Sequence, residues 1–331
     1  MERLLQMIAG IQEAKILLAG AELGVFDHLK GRGLTAAGVA AALPGDPRGT
    51  EILLDALVAL DIIEKAGDVY RNRAAYEPVL TTGDGPAPFL GLLRHRNRIF
   101  RQWALLEERV RGEPLPASLA AQPLLRDPRS NEAFILAMWA GGLPRAPLVA
   151  DHVDLTGVKT VADLGGGPGH YLAEFARRAP QVVPYLIDLP LTLQVARRLL
   201  AQTPVFPRVQ FVEWDFYNTR APEGLPPLDL VFLSAVLHAE SPARNRALLE
   251  RVFPLVTPGG RLVVQENVVD PGRTSPLEAA LFAVNMLADT PAGRTYTERE
   301  ILSWGEAAGF VGELGERLSG RSYLVRMRKP A

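Results

Sequence analysis

The chain contains no cysteine among its 331 residues. Disulfides, thiolate nucleophiles and cysteine-based metal sites are therefore excluded. It also lacks a charge excess: 36 basic against 37 acidic residues leave a formal net charge of −1. No broad field of one sign draws it to nucleic acid or to an anionic membrane. Long apolar runs are missing as well. The opening "MERLLQMIAGIQEAKILLAG" places Glu2, Gln12, Glu13 and Lys15 within its apolar stretch. That pattern predicts an amphipathic helix, not a signal peptide or a membrane span. A soluble, cytoplasmic protein is expected, with no metal and no nucleic-acid or membrane partner.

What is present falls into two halves. Residues 1–100 read as helical, with Ile8, Ile11, Ala14, Leu17, Leu18, Ala21 and Val25 at helical spacing. Thr35 is placed to cap a short helix, and a second helix is expected from about Arg48 to Leu60. "IIEKAGDVYRN" reads as a hairpin turning at Ala66, Gly67 and Asp68. Helix, turn, helix and hairpin make a winged helix. DNA binding is the obvious use of such a module. Its presumed recognition helix, "RGTEILLDALVALD", is however acidic, where a helix laid on phosphate is basic. A packing role, against a second copy of the chain, is the better reading. Residues 101–150 read as connecting helices. From 151 to 331 short β-branched runs alternate with helical stretches, which implies a parallel sheet covered by helices.

The stretch "TVADLGGGPGHY" at 160–171 is a strand, an acidic residue, alternate glycines and a helix start. It fails the dinucleotide fingerprint, because the third slot falls on His170 or Leu172. It also lacks the Gly-Lys-Ser/Thr ending of a phosphate loop. No Lys or Arg lies in the turn to meet a pyrophosphate. Asp163 suits a cationic ligand group. Asp188, ending the next strand, is placed to accept both hydroxyls of a ribose. An adenosine without phosphates and with a cationic amino-acid tail fits; S-adenosyl-L-methionine is that molecule.

"VADLGGGPGHYLAEFARRAP" with "LIDLP" resembles the first two signatures of class I methyltransferases. With "VEWDFYN", "DLVFLSAVLHAESPARNRALLERVFPLVTPGGRLVVQENVV" and "NMLADTPAGRTYTEREILSWGEAAGF", nearly the whole chain resembles the small-molecule O-methyltransferase family. That family carries an N-terminal dimerisation winged helix, and the likeness is to its bacterial branch near hydroxyneurosporene and bacteriochlorophyllide C-20 methyltransferases. The resemblance implies an α/β fold: a class I, Rossmann-like domain with a seven-stranded, mostly parallel sheet, preceded by the winged helix, in a homodimer. It implies S-adenosyl-L-methionine as cofactor and S-adenosyl-L-homocysteine as product. It places Gly165, Gly167, Asp188 and Leu189 against the cofactor, Asp215 and Phe216 beside the adenine, and Ser234 and Ala235 at the methionine end.

Of five histidines, His238 alone follows the fourth strand, at the edge where α/β ligands bind. By resemblance it is the base that deprotonates the acceptor hydroxyl, oriented by Glu266. The plant signature His-Asp-Trp is broken here by Ala239 and Glu240, and Thr295 stands where a second orienting carboxylate would fall. Candidate walls of an apolar acceptor pocket are Trp103, Phe134, Met138, Trp139, Phe282, Asn285, Met286 and Tyr296. Asn285, polar within "AALFAVNMLAD", is the candidate to bond an acceptor oxygen. "LLRHRNRIFRQW" offers either a grip on an acidic acceptor or a solvated face. The leading expectation is methyl transfer to a hydroxyl of an aromatic or polyketide-like molecule of secondary metabolism. C-methylation of a conjugated ring, non-methyltransferase chemistry on the same cofactor, a nucleoside-sensing regulator and a nicotinamide dehydrogenase are the alternatives.

Overall fold

A computed structural model describes residues 1–83, 88–116, 119 and 127–331. They form two compact units. The first comprises residues 1–100 and 132–140; the second comprises 101–131 and 141–331. The connecting stretch expected over 101–150 thus divides between them.

In the first unit the helix Glu2–Leu23 ends at Gly24, whose left-handed φ of 74° closes the helix without a side-chain clash. The Thr35 hydroxyl caps Ala36–Ala42 by accepting from the Gly38 N–H. Asp46 caps Pro47–Ala59 in the same way through Gly49 N–H. The strands β1 (Leu34–Thr35), β2 (Ile63–Ala66) and β3 (Val69–Asn72) form a sheet in the order β1-β3-β2. Phe26, Leu29, Leu54, Leu57, Ile63 and Tyr70 fill the core beneath this wing. Asp55 of the second helix accepts from Lys65 and from the Tyr70 hydroxyl, both at 2.7 Å. Its charge is therefore committed to the wing. Glu2–Leu23 is long and apolar enough to cross a membrane by length and composition alone, a test that the core helix of a soluble protein also passes. Its C-terminal turns lie in the unit's core through Leu18 and Ala21, while Leu4, Leu5, Met7, Ile8 and Ile11 are exposed.

The second unit is built on a mixed sheet. Its strands are β4 (Thr160–Leu164), β5 (Val183–Asp188), β6 (Gln210–Glu213), β7 (Leu228–Ser234), β8 (Val256–Asn267), β9 (Val311–Gly312), β10 (Glu316–Ser319) and β11 (Ser322–Arg328). The order is β10-β11-β8-β7-β4-β5-β6, with β9 beside β11. Strands β8, β7, β4, β5 and β6 run parallel; β9, β10 and β11 pair antiparallel. The short β9 makes eight strands where seven were expected. Both outward directions of the chain start at β4, so the strand order reverses between β4 and β7. Ligands of such sheets bind at the carboxyl ends beside that reversal. Register brings those ends level: Leu164 pairs with Ile187, Asp188 with Glu213, and Ser234 with Gln265.

Candidate active site

The glycine turn leaves β4 with Gly165, Gly167 and Gly169 at φ of 71°, 56° and 82°. All three need the left-handed region, which glycine enters without penalty. A Cβ on Gly165 would fall 2.7 Å from Val236 Cγ2 and 3.2 Å from the Phe216 ring. The loops after β4, β6 and β7 therefore meet at this one residue.

Asp188 closes the turn from β5. Its Oδ2 accepts from the Gly167 N–H at 2.8 Å and its Oδ1 from the Leu189 N–H at 2.7 Å. Beyond these two bonds the carboxylate has two further acceptor positions. Burial pushes this carboxyl up to about 6, against the pull of those two N–H groups. Thr192 also bonds it and in turn receives the Asn131 amide. Asp163 behaves differently from expectation. It is fully buried beneath the turn, its carboxyl packed against Gly166, and neither oxygen has a well-aligned partner. Burial first, and the nearby Asp188 second, push it up to about 8, while the Leu172 backbone pulls the other way. Asp163 thus supports the turn and presents no carboxylate to a ligand.

Asp215 spends its carboxylate on the Asn218 amide, and its carbonyl accepts from Asn218 and Thr219. Its bonds cap the turn, and the ring of Phe216 beside it lies against Gly165. Ser234 donates to Gln265, which donates onward to Ser322. Ala235 follows with φ of 56°, unusual for a residue with a Cβ. The strain sits where β7 must turn sharply at the sheet edge.

That turn carries His238, in the 3₁₀ segment Leu237–Ala239. Its Nδ1 lies 2.6 Å from Glu266 Oε1. Glu266 is fully buried on β8 and also accepts from the His238 N–H (3.3 Å) and the Asn267 N–H (2.7 Å). Burial pushes the Glu266 carboxyl up, but the His238 ring and the two backbone N–H groups outweigh it and hold the group below its ordinary range. The carboxylate fixes a proton on Nδ1, which leaves Nε2 as the basic nitrogen.

Phe282 meets the His238 ring edge to face at 4.7 Å, and the Arg321 guanidinium lies 4.5 Å over the same phenyl ring. Thr295, where a second carboxylate would fall, is buried, and its carbonyl accepts from Arg273. One proposed wall is corrected. Tyr296 is fully buried in the core, its hydroxyl donating to the Glu240 carbonyl. Asn285 accepts from the Trp103 indole at 3.0 Å, which engages its oxygen and not its NH₂. Met286 is buried beside it, and Trp103 is half-exposed. Phe134, Met138 and Trp139 are partly exposed on the helix Pro128–Gly142 within the first unit. On the helix Pro88–Trp103, Arg94, Arg96 and Arg101 are solvated, as a surface face would be.

A turn without phosphate-binding cations, a shared carboxylate at β5 and a His–Glu pair across β7 and β8 together describe a site for a nucleoside and a hydroxyl. Residues 124–311 match the O-methyltransferase domain, and residues 5–78 match the O-methyltransferase dimerisation domain. The chain belongs to the O-methyltransferase family. It is 30% identical to the tetracenomycin polyketide synthesis 8-O-methyl transferase TcmO of Streptomyces glaucescens, over 99% of this chain and 96% of that protein. It is 30% identical to the 3-hydroxy-5-methyl-1-naphthoate 3-O-methyltransferase of Streptomyces sahachiroi, over 92% and 88%. Human N-acetylserotonin methyltransferase, solved with S-adenosylmethionine, superposes with a TM-score of 0.79 at 28% identity, over 100% of this chain and 98% of that one. Membership makes this chain an O-methyltransferase dependent on S-adenosylmethionine.

Residues that sequence reasoning missed are those that hold the His238 turn. Gly293 packs its backbone so tightly on the His238 carbonyl that a Cβ would lie 2.3 Å away. Asn245 donates to the Leu237 carbonyl at 2.8 Å. A visible signal was the polar run Gln265-Glu266-Asn267 inside an otherwise apolar strand, all three buried.

Proposed function

We propose that the chain methylates a hydroxyl of an aromatic or polyketide-like small molecule, with His238 as general base and Glu266 as its orienting partner. The observation that carries this is the 2.6 Å contact between His238 and a fully buried Glu266, at the sheet edge that also holds the glycine turn. Bound S-adenosylmethionine supplies an already activated sulfonium methyl. Asp188 accepts a ribose hydroxyl on its remaining acceptor position. Phe216, Val236 and Ala235 border the cofactor and keep water from it. His238 takes the acceptor's proton at Nε2, and Glu266 stabilises the imidazolium that results. The protein's remaining task is to hold the acceptor oxygen in line, which supplies roughly 7–11 kcal/mol in model reactions.

The functional form in this reading is a homodimer through the N-terminal unit. The match to a dimerisation domain and the exposed Leu4, Leu5, Met7, Ile8 and Ile11 support it. The deciding test uses methyl-labelled S-adenosylmethionine with phenols, hydroxynaphthoates and hydroxyquinones, locating the methylated atom by NMR. Methyl on oxygen, lost in His238→Ala, is the expected result. Transfer to carbon, or undiminished transfer in His238→Ala, overturns the assignment of the base.

A further inference from the structure

The peptide joining Leu237 to His238 is held at both ends. Its N–H donates to Glu266 Oε2, and its carbonyl accepts from Asn245 Nδ2. Asn245 is fully buried on the helix Pro242–Val252, and its Oδ1 accepts from the Tyr217 hydroxyl at 2.9 Å. The same helix grips the loop that carries Phe216. Arg251 donates to the carbonyls of Phe216 and Tyr217, and Arg244 lies 5.0 Å over the Tyr217 ring. One helix therefore brackets the cofactor-side loop and the turn bearing the base.

From this geometry we infer that Asn245, its amide oriented by Tyr217, is a positioning residue for His238. Fixing the peptide plane fixes the N–Cα bond of His238, from which the ring hangs, and so limits where the Glu266-bonded ring can lie. The Glu266 contact alone leaves the ring free to pivot about the Nδ1 bond. A buried amide with both halves engaged has one orientation available, because reversing it sets the NH₂ against the Tyr217 hydroxyl and the oxygen against the Leu237 carbonyl. Asn245 touches neither cofactor nor acceptor in this reading; it acts through the turn. The inference rests on His238 being the base, so its test includes a readout that does not need turnover.

Two variants separate the roles. Asn245→Ala removes the donor; Tyr217→Phe keeps the ring and removes only the hydroxyl. The direct readout is the Nδ1–H proton resonance of His238, assigned by its loss in His238→Ala. It is expected to move or broaden in Asn245→Ala and, more weakly, in Tyr217→Phe. The kinetic readout is kcat, expected to fall about tenfold or more in Asn245→Ala, given an unpaired buried carbonyl. The dissociation constant for S-adenosylhomocysteine should stay within about twofold, and Asn245→Ala should add nothing to His238→Ala. An unchanged resonance, or a loss of kcat that persists equally in the His238→Ala background, overturns the inference. If His238→Ala itself proves fully active, the base assignment fails, while the resonance still decides whether Asn245 positions the ring.

Discussion

Glu266→Gln is the substitution in which charge and shape separate most cleanly. The side chain keeps its volume, so the packing of β8 is preserved. Its hydrogen bonding cannot be. Three N–H donors converge on two carboxylate oxygens, with the Asn267 side-chain amide at 3.5 Å as a longer fourth: His238 Nδ1 and Asn267 N on Oε1, and His238 N on Oε2. A glutamine has one acceptor and two further donors. With its oxygen toward Nδ1, the NH₂ opposes the His238 N–H. With the amide reversed, the NH₂ opposes two donors and drives the ring to the tautomer protonated on Nε2, which is no base. The better rotamer costs about 1–3 kcal/mol for the unpaired donor. It loses about 1–2 kcal/mol more where a charge-assisted bond to the developing imidazolium becomes neutral. The first cost falls on ground and transition state alike and lowers stability; the second acts on the barrier and, at about 1.4 kcal/mol per tenfold, lowers kcat by roughly 5- to 30-fold. The assay is kcat for methyl transfer at saturating cofactor and acceptor, with S-adenosylhomocysteine affinity and circular dichroism as controls. A folded Glu266→Gln enzyme that retains kcat within about threefold would refute the reasoning, because no rearrangement of the amide restores all three bonds.

The remaining predictions concern the two aspartates of the glycine turn. Asp188→Ala should weaken S-adenosylhomocysteine binding by at least about 1 kcal/mol in calorimetry, since a ribose hydroxyl loses its acceptor and the Gly167 N–H loses its partner; unchanged affinity would remove Asp188 from the cofactor site. Asp163→Asn should make the protein more stable at neutral pH and flatten its pH dependence. A carboxyl raised to about 8 in the folded state binds its proton more tightly there than in the unfolded chain. Its penalty is therefore absent below about pH 4 and grows as pH rises toward 8, reaching on the order of 4 kcal/mol at pH 7. Denaturant midpoints of the two proteins from pH 4 to 8 measure it; parallel curves would place an ionised Asp163 in the wild-type fold.

Much of this molecule is local grammar. Thr35 and Asp46 are caps because a short oxygen-bearing side chain ahead of an apolar run satisfies free helix N–H groups, whatever lies around it. The wing, the strand-helix alternation and the three alternate glycines follow the same rule: period and backbone freedom are written residue by residue. Sequence order also put His238 after the fourth strand of the second half and Glu266 at the end of the fifth, and resemblance supplied their partnership. What it left undecided is orientation and burial. Asp163 and Asp188 both end strands in apolar runs. Only the fold seals the first beneath Gly166 and leaves the second facing Gly167 and Leu189. Tyr296 read as a pocket residue because polarity within an apolar stretch does not say what a group already binds. The sheet and its covering helices gave it the Glu240 carbonyl. Asn245 was invisible for the same reason: it is one polar residue on an amphipathic helix until Leu237 and Tyr217 arrive from loops 8 and 28 positions away. Periodicity is a property of neighbours along the chain, and it fixed the elements. Catalytic geometry is a property of neighbours across it, and only the packed sheet edge decided that.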